Sequence, residues 1–574
     1  MSDSNNRTTS VALLLTAVVI ALMSASVYKI VVLKVSPPQQ LTDATIPVIS
    51  TSKQLAIRGR ILDRRGRILA ASRIGFKLFV DPSIVKDFES LSFKLSKITS
   101  IPPAEIEQQL RTKPNSRYVV LQQLLTDEQV DAIRELGIRS VGLEERLVRE
   151  YPHGDIGGAL IGLVGSEHTG LAGFENKFNN TLTGESGRFV RARDTKRKTI
   201  WISPDDFKLK SDGDDVQLSI DVVIQDIASK RLFEEVTRCN AGGGRIVVVD
   251  PATGEILAMA DILNPRDGWS QQPEDANREL DVRLGRNRCV TDPYEPGSTF
   301  KPFVWSVATQ LGKAKIDETL PTPSSGPYKT DFNRTIRDAN YYGPSSWEKV
   351  LIKSMNSGMA IVSQRMTHAE LQDAVHRFGF GQPTHIGLGG ETRGIVTSPS
   401  NWNNYTQTSV SMGHEIAVTP LQMVQGFCAF ARDGSVPQLQ LKLATNEDVM
   451  FVRDAITPEI AALTRQIMGK VMTEGTGRKA QSEQYKLFGK SGTAQLPNSD
   501  GSGYFEDRYI ASFIAGAPID DPKLIVLCVI DDPDKSIAHY GGTVAGPVVR
   551  DVIEQSLEYL QVPPSVDFLA NASN

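Results

Sequence analysis

The spacing of apolar positions changes from segment to segment along this chain, and each change marks an element. Val11 to Val27 is almost wholly apolar, and Ile30-Val31-Val32-Leu33 continues the run beyond Lys29. About 20 such residues cross a bilayer as a helix, so residues 11–33 are predicted to form a transmembrane signal anchor. A cleaved signal peptide is the competing reading, because Ser24-Ala25-Ser26 is a passable small-residue site. Segment length favours the anchor. Arg7 lies before the segment and Lys29 and Lys34 lie at its far end, so flanking charge does not set its orientation. The polar stretch with Pro37-Pro38 reads as a linker.

Farther along, Arg58 to Ala70 reads as strand, turn, strand, with Asp63 and Gly66 at the turn. Residues 85–136 carry helix-type spacing, with starts near Asp87 and Thr126. A Gly-rich stretch runs from Gly154 to Gly165. Gln217 to Asp221 opens a helix predicted to extend to about residue 237. Ile246 to Val249, the turn Asp250-Pro251-Ala252-Thr253-Gly254, and Glu255 to Ala260 predict a hairpin. A second hairpin is predicted from Tyr509 to Gly516 and Leu524 to Ile530, joined at Asp520-Asp521-Pro522. Strands at both ends of this half, with helices between, predict an α+β domain around one antiparallel sheet.

With 574 residues the chain is long enough for two or more domains. A net charge of −4 gives no reason to expect nucleic acid. The basic run Arg188, Arg191, Arg193, Lys196, Arg197 and Lys198 is of the kind that usually forms a solvated strand face. The four cysteines, Cys239, Cys289, Cys428 and Cys528, form no metal-type spacing. Cys428 and Cys528 sit in apolar runs and read as buried small hydrophobes. A Cys239–Cys289 disulfide is chemically allowed outside the cytoplasm, but spacing does not establish it.

The densest chemistry lies in Glu295-Pro296-Gly297-Ser298-Thr299-Phe300-Lys301-Pro302-Phe303. An apolar helical pattern follows through Leu311 and stops at Gly312. Ser298 and Lys301 are three apart and share one helix face. A serine hydroxyl is a weak nucleophile and needs a base in reach, and backbone N–H groups at a first helical turn suit a developing oxyanion. Pro302 is compatible, because a first turn does not use its N–H. Ser354-Met355-Asn356 follows 56 residues after Ser298, and Lys490-Ser491-Gly492-Thr493 follows 136 residues after Ser354. S-x-x-K, S-x-N and K-[ST]-G in this order are the signature set of serine β-lactamases and penicillin-binding proteins. The K-S-G-T run is expected on a strand beside the helix carrying Ser298.

On these motifs the chain resembles a class B penicillin-binding protein, and the resemblance runs from the anchor to about residue 556. R-G-x-I-x-D-R-x-G-x-x-L-A at Arg58 to Ala70 and R-x-Y-P at Arg149 to Pro152 match the family's pedestal. Val248 to Met259, Val418-Thr419-Pro420-Leu421-Gln422, Gly475-Thr476-Gly477 and Tyr540-Gly541-Gly542 match its catalytic domain. Arg286-Asn287-Arg288 leading to Ser298 looks most like the cell-division (FtsI) branch. The implied layout is a cytoplasmic tail at 1–10, the anchor at 11–33, a linker at 34–53 and a pedestal of the dimerisation type at 54–240. A transpeptidase domain at 243–556 and a tail at 557–574 complete it. There are departures from the family pattern. K-S-G-T stands for the commoner K-T-G-T and keeps the hydroxyl, S-M-N stands at a position where the middle residue varies, and Gly413-His414-Glu415 stands where relatives have Gly-Tyr-Gly or Gly-Gln-Gly. Replacing the second glycine by Glu415 is expected to bear on the backbone there.

The resemblance implies a peptidoglycan D,D-transpeptidase working by two acyl transfers. Ser298 would attack the carbonyl between two D-alanines of a stem peptide, and the amine of a neighbouring stem would resolve the acyl-enzyme. Lys301 would take the serine proton, made partly neutral by burial or by a nearby cation such as Lys490. Ser354 would relay the proton to the leaving amine, and Asn356 would hold the substrate amide or Lys301. Lys490, Ser491, Gly492 and Thr493 would bind the terminal carboxylate, and the backbone N–H groups of Ser298 and Thr493 would form the oxyanion hole. No metal or organic cofactor is implied. Implied partners are stem peptides on lipid-linked precursor strands, β-lactams that acylate Ser298, a SEDS-type membrane glycosyltransferase and other division proteins. The implied location is the inner (cytoplasmic) membrane, single-pass, with the catalytic domain on the periplasmic or extracellular side. Glu255, Asp292 and Glu295 are read as turn or strand-edge carboxylates, and His414 as a loop histidine with a tunable-base alternative. An elongation enzyme of the same family, a β-lactam sensor or scaffold without crosslinking, and a β-lactamase or D,D-carboxypeptidase remain alternatives.

Overall fold

The structure is a computed structural model that describes residues 3–36, 38, 48–154, 157–193, 199–202, 207–264, 284–443, 451–498 and 503–565. Its contacts divide the chain into Met1–Ala56 with Gly184–Asp212, and Ile57–Thr183 with Gly213–Asn574. In the first unit, Asp3–Val35 (α1) is one uninterrupted helix running through both Ser24-Ala25-Ser26 and Lys29. Its stretch Thr9–Val35 spans 27 residues with mean hydropathy 2.4. At the α-helical rise this is about 40 Å, more than the hydrocarbon thickness of a bilayer. The same unit holds a three-stranded antiparallel sheet with Gly187–Arg193 between Val48–Gln54 and Thr199–Ile202. Arg188, Arg191 and Arg193 of the basic run lie on that central strand. Lys196, Arg197 and Lys198 fall outside the described residues, as do Pro37 and residues 566–574 of the expected tail.

The second unit begins with the predicted strand–turn–strand. Ile61–Leu62 pairs with Ile68–Val80 (β1). The Asp63 carboxylate closes the turn by accepting from the backbone N–H groups of Arg65 and Arg67 at 2.9 and 2.8 Å. Gly66 takes φ +80°, a conformation costly for a side-chain-bearing residue. Val141–Glu150 (β2) runs antiparallel along the length of β1. The helix Phe88–Thr99 starts on its Asp87 cap and Asp127–Leu136 on a Thr126–Gln129 capping box, where the sequence placed them. A further helix, Pro103–Thr112, lies between.

The arginines of the two pedestal motifs meet on one buried carboxylate. Arg58 and Arg149 both donate to Glu175 at 2.7 Å, and all three are essentially inaccessible to solvent. Arg58 also bonds His168 O, Asn179 Oδ1 and Thr183 Oγ1, and Arg149 bonds Gly59 O and Ser72 Oγ. A buried charge is tolerable when it is paired and hydrogen-bonded in this way, and of the Arg149 guanidinium only Nη2 is left without a hydrogen-bond partner. Arg67 bridges Asp63 and Asp221, the latter being the N-cap of Val222–Arg238 (α2), which ties the turn to the next helix.

The catalytic half is built on five antiparallel strands. In chain order they are Gly243–Val249 (β3), Ile256–Leu263 (β4), Phe488–Pro497 (β5), Tyr504–Ala517 (β6) and Leu524–Asp531 (β7), and in the sheet they run β4-β3-β7-β6-β5. β3, β7 and most of β4 read as nearly continuous apolar runs because both sheet faces are covered there. Ile246, Val248, Phe513, Cys528 and Ile530 pack on α2 and the C-terminal helix Gly541–Tyr559. Val247, Val249, Phe488, Leu527 and Val529 face the helices that follow Ser298. All four cysteines are buried free thiols, so the allowed Cys239–Cys289 disulfide is not formed. Cys239 instead donates to Glu235 at 3.1 Å.

Candidate active site

Gly297–Phe300 forms a tight 3-10 turn that runs straight into the helix Lys301–Gln310 (α3). The sequence places Ser298 in the first α-turn; the structure puts it one turn earlier, and Pro302 is the reason. In an α-helix the Ser298 carbonyl would accept from residue 302, which as proline has no N–H. It accepts from the Lys301 N–H instead, an i→i+3 bond. At three residues per turn, positions i and i+3 eclipse, so Ser298 and Lys301 stack more directly than α-geometry would give. Beneath them Phe300, Phe303, Phe378, Phe380, Phe427 and Phe430 form one aromatic cluster with ring centroids 4.9 to 6.4 Å apart. That packing fixes the direction of α3.

Lys301 is fully buried. Its amine donates to the Ser354 carbonyl at 2.7 Å and to Asn356 Oδ1 at 2.6 Å, and the Ser354 hydroxyl lies 3.3 Å away. Burial pushes the Lys301 pKa down to about 7, although the nearby Asp338 carboxylate works in the other direction. Lys490 is also fully buried, 2.8 Å from the Ser354 hydroxyl and 2.9 Å from the Ser491 carbonyl. Its pKa is pushed well below the ordinary amine value by burial and by the neighbouring Lys301 charge. Burial is the leading cause for both amines, and the repulsion between them is shared.

Ser354 sits between the helices Trp347–Ile352 and Asn356–Ser363 (α4) with φ +59°. This is a left-handed conformation that non-glycine residues seldom adopt and that clusters at functional sites. It lets one residue offer both carbonyl and hydroxyl to the amines. Asn356 is held in turn by its Nδ2 donating to Arg337 O at 2.9 Å.

The K-S-G-T run lies on β5, an edge strand, as expected. Gly492 is required there for packing. A Cβ at this position would lie 2.6 Å from Ser512 Oγ, 2.7 Å from Pro296 O and 2.9 Å from Thr299 Cγ2. The absent side chain is what lets β5 approach the turn holding Ser298. The Ser491 hydroxyl bonds Thr476 Oγ1 at 2.7 Å, and the Thr493 hydroxyl accepts the Gly541 N–H at 3.0 Å. Thus Ser298, Lys301, Ser354, Asn356, Lys490, Ser491, Gly492 and Thr493 converge from three separate segments. Thr476 and Asp338 join them without having been assigned a part by the sequence. Thr476 lay in a run matched only by resemblance. Asp338, whose carboxylate holds the Ser357 N–H at 2.9 Å at the start of α4, lies in no motif.

The three carboxylates read as structural have definite partners. Glu255 pairs with Arg64 at 3.2 Å, and Asp292 pairs with Arg286 at 2.9 Å. Glu295 faces His414, whose Nδ1 is 2.9 Å away, and accepts from Glu415 N–H at 3.0 Å. Glu415 takes a left-handed backbone at φ +58°, a conformation that glycine adopts without steric cost.

Comparison with known proteins agrees with this architecture. Residues 244–554 match the penicillin binding protein transpeptidase domain, and residues 53–218 match the penicillin-binding protein dimerisation domain. PbpC of Pseudomonas aeruginosa, named a probable peptidoglycan D,D-transpeptidase, is 32% identical over 530 residues, covering 92% of this chain and 89% of the relative. Peptidoglycan D,D-transpeptidase FtsI of Escherichia coli K12 is 29% identical over 540 residues, covering 92% and 88%. The crystal structure of penicillin-binding protein 2X from Streptococcus thermophilus superimposes with a TM-score of 0.71 at 23% identity, over 89% of this chain and 80% of that one. With its dimerisation-type and transpeptidase domains in this order, the chain belongs to the penicillin-binding protein transpeptidase family, in the FtsI-like class B group.

Proposed function

We propose that this chain is a serine-type peptidoglycan D,D-transpeptidase that carries its acyl intermediate on Ser298. The observation that carries the reading is the buried Lys301 amine. It is pushed down to about pKa 7 one turn from Ser298 and linked through the Ser354 hydroxyl to Lys490. An amine that is substantially neutral near pH 7 is matched to accepting a serine proton. Asn356 holds it by accepting at 2.6 Å, and the Asp338 charge opposes the downward shift without cancelling it.

In the first transfer, Ser298 Oγ attacks the carbonyl joining two D-alanines of a stem peptide and Lys301 takes its proton. That proton returns from Lys301 by way of the Ser354 hydroxyl to the leaving amine, the C–N bond breaks and free D-alanine departs. In the second transfer, the amine of another stem attacks the ester and regenerates Ser298. Lys490, Ser491 and Thr493 favour a carboxylate at the end of the donor peptide, since β5 carries an amine and two hydroxyls and an arriving carboxylate favours the protonated amine. The N–H groups of Ser298 and Thr493 are assigned to the oxyanion, and one such donor is worth roughly 100- to 1,000-fold in rate. A D-alanyl-D-alanine stem peptide incubated with an amine acceptor should release D-alanine and yield the crosslinked amide. Hydrolysis with no crosslink would favour the carboxypeptidase alternative.

We further assign the protein to the cytoplasmic membrane through α1, with the catalytic half on the periplasmic or extracellular side and a septal role during division. The family resemblance supports a SEDS-type glycosyltransferase as the source of the strands to be crosslinked. Co-purification of that partner with the full chain, lost when α1 is exchanged for an unrelated span, tests this assignment.

A further inference from the structure

The nucleophile turn is held from outside by a ring of contacts that closes on Glu295. Gly297 N–H donates to the Gly413 carbonyl at 3.0 Å. The two segments touch so closely that a Cβ on Gly413, itself at φ +82°, would lie 2.0 Å from Gly297 O. Two residues beyond Gly413, the Glu415 N–H returns to Glu295 Oε1 at 3.0 Å, and His414 Nδ1 lies 2.9 Å from Glu295 Oε2. Glu295 is itself only two residues before Gly297, so the loop and the turn are joined at two points, both just before Ser298. A third element enters from the sheet. The Tyr504 hydroxyl donates to Glu295 at 2.9 and 3.1 Å, and Tyr504 opens β6, the partner of the strand that carries K-S-G-T.

The same ring accounts for Glu415. A left-handed backbone at a non-glycine residue is strained and persists only when its surroundings hold it. Three bonds hold this one: its N–H to Glu295, its carboxylate to Ser409 Oγ at 2.6 Å, and its carbonyl to Thr397 Oγ1 at 3.3 Å.

We propose that Glu295 is a positioning residue for the acyl transfer. Its carboxylate clamps the Gly413–Glu415 loop and Tyr504 so that the Gly413 carbonyl fixes the turn presenting Ser298 to β5. The inference rests on the assignment of Ser298 as the acylated nucleophile. The clamp acts on geometry at the moment of attack. Removing it lowers the rate constant of acylation at saturating ligand and leaves the preceding binding step nearly unchanged.

The test uses the full chain in detergent with a fluorescent penicillin. It measures the acylation rate constant and the pre-acylation dissociation constant separately, alongside thermal melts. Glu295→Ala is expected to lower the rate constant about tenfold or more, the size of effect a small misplacement of reacting groups produces. The dissociation constant and the melt should move little. Glu295→Gln, which keeps an oxygen for the Glu415 N–H and the Tyr504 hydroxyl, should recover most of the loss. Tyr504→Phe, which removes one hydroxyl, should reproduce part of it. His414→Ala should slow the wild type and add nothing to Glu295→Ala, because both act through one clamp. Wild-type rates in Glu295→Ala, a loss confined to the dissociation constant, or additive effects of the two alanines would each overturn the clamp. Failure of the folded wild type to form any adduct would instead overturn the assignment of Ser298.

Discussion

Lys301 and Lys490 both approach one hydroxyl, that of Ser354, at 3.3 and 2.8 Å. Two buried amines around one oxygen resist carrying two full charges, because burial and mutual repulsion both favour the neutral form. With Lys301 pushed down to about 7, its working form is neutral and increases as pH rises. The acylation rate is therefore predicted to climb about tenfold per pH unit well below 7 and to level off above about 8. A pH profile of penicillin acylation checks this. Lys301→Ala should lose the inflection together with roughly 100- to 10,000-fold of the rate.

Ser354 combines a chemical assignment with backbone strain, and two substitutions separate them. Ser354→Ala removes the hydroxyl but keeps a Cβ at φ +59°. Ser354→Gly removes the hydroxyl and the strain. Both should acylate far more slowly than the wild type, while Ser354→Gly should be the more stable of the two by about 1 kcal/mol. Denaturant unfolding of the pair gives the comparison directly.

Gly492→Ala is predicted to separate activity from folding. Its Cβ would press on Pro296 O and Ser512 Oγ at 2.7 and 2.6 Å, and relief requires β5 and the nucleophile turn to move apart. A shift approaching 1 Å there can cost about 100-fold in rate. Acylation kinetics and a thermal melt on the same preparation should show the large loss in the first and a small one in the second.

Much of this was legible in the chain because local signals and global fold agree. The caps at Asp87 and Thr126, the Asp63–Gly66 turn and the two hairpins stand where side-chain chemistry put them, whereas the helix expected to open at Gln217 begins only at Val222, because Val216–Gln217 pairs with Ile61–Leu62 as a strand. K-S-G-T reads as a strand and is one. What could not be read are contacts made only by tertiary approach. Asp338 lies 37 positions from Lys301 along the chain, and nothing local marks it as that amine's counter-charge. The 3-10 turn at Ser298 was readable in principle, since Pro302 removes the N–H its carbonyl would need. The partners of Glu295 come from two distant segments, and sequence spacing carries no record of their meeting.

The aromatic cluster under α3 gives a stability prediction. Phe303 touches Phe300, Phe378, Phe380, Phe427 and Phe430 and is almost fully buried. Phe303→Ala should cost about 3 to 5 kcal/mol. Whatever fraction folds should acylate slowly, because the helix bearing Lys301 has lost its seat. Unfolding curves together with active-site titration of the folded fraction distinguish the two effects.

The central claim is that Ser298 is acylated with Lys301 as its base. Its most direct test is mass spectrometry of the full chain after exposure to a penicillin, comparing wild type, Ser298→Ala and Lys301→Ala. A persistent adduct mapped to Ser298, absent in Ser298→Ala and far slower to form in Lys301→Ala, is the predicted result. An adduct on another residue, or none in folded wild type while the penicillin remains intact, would contradict it.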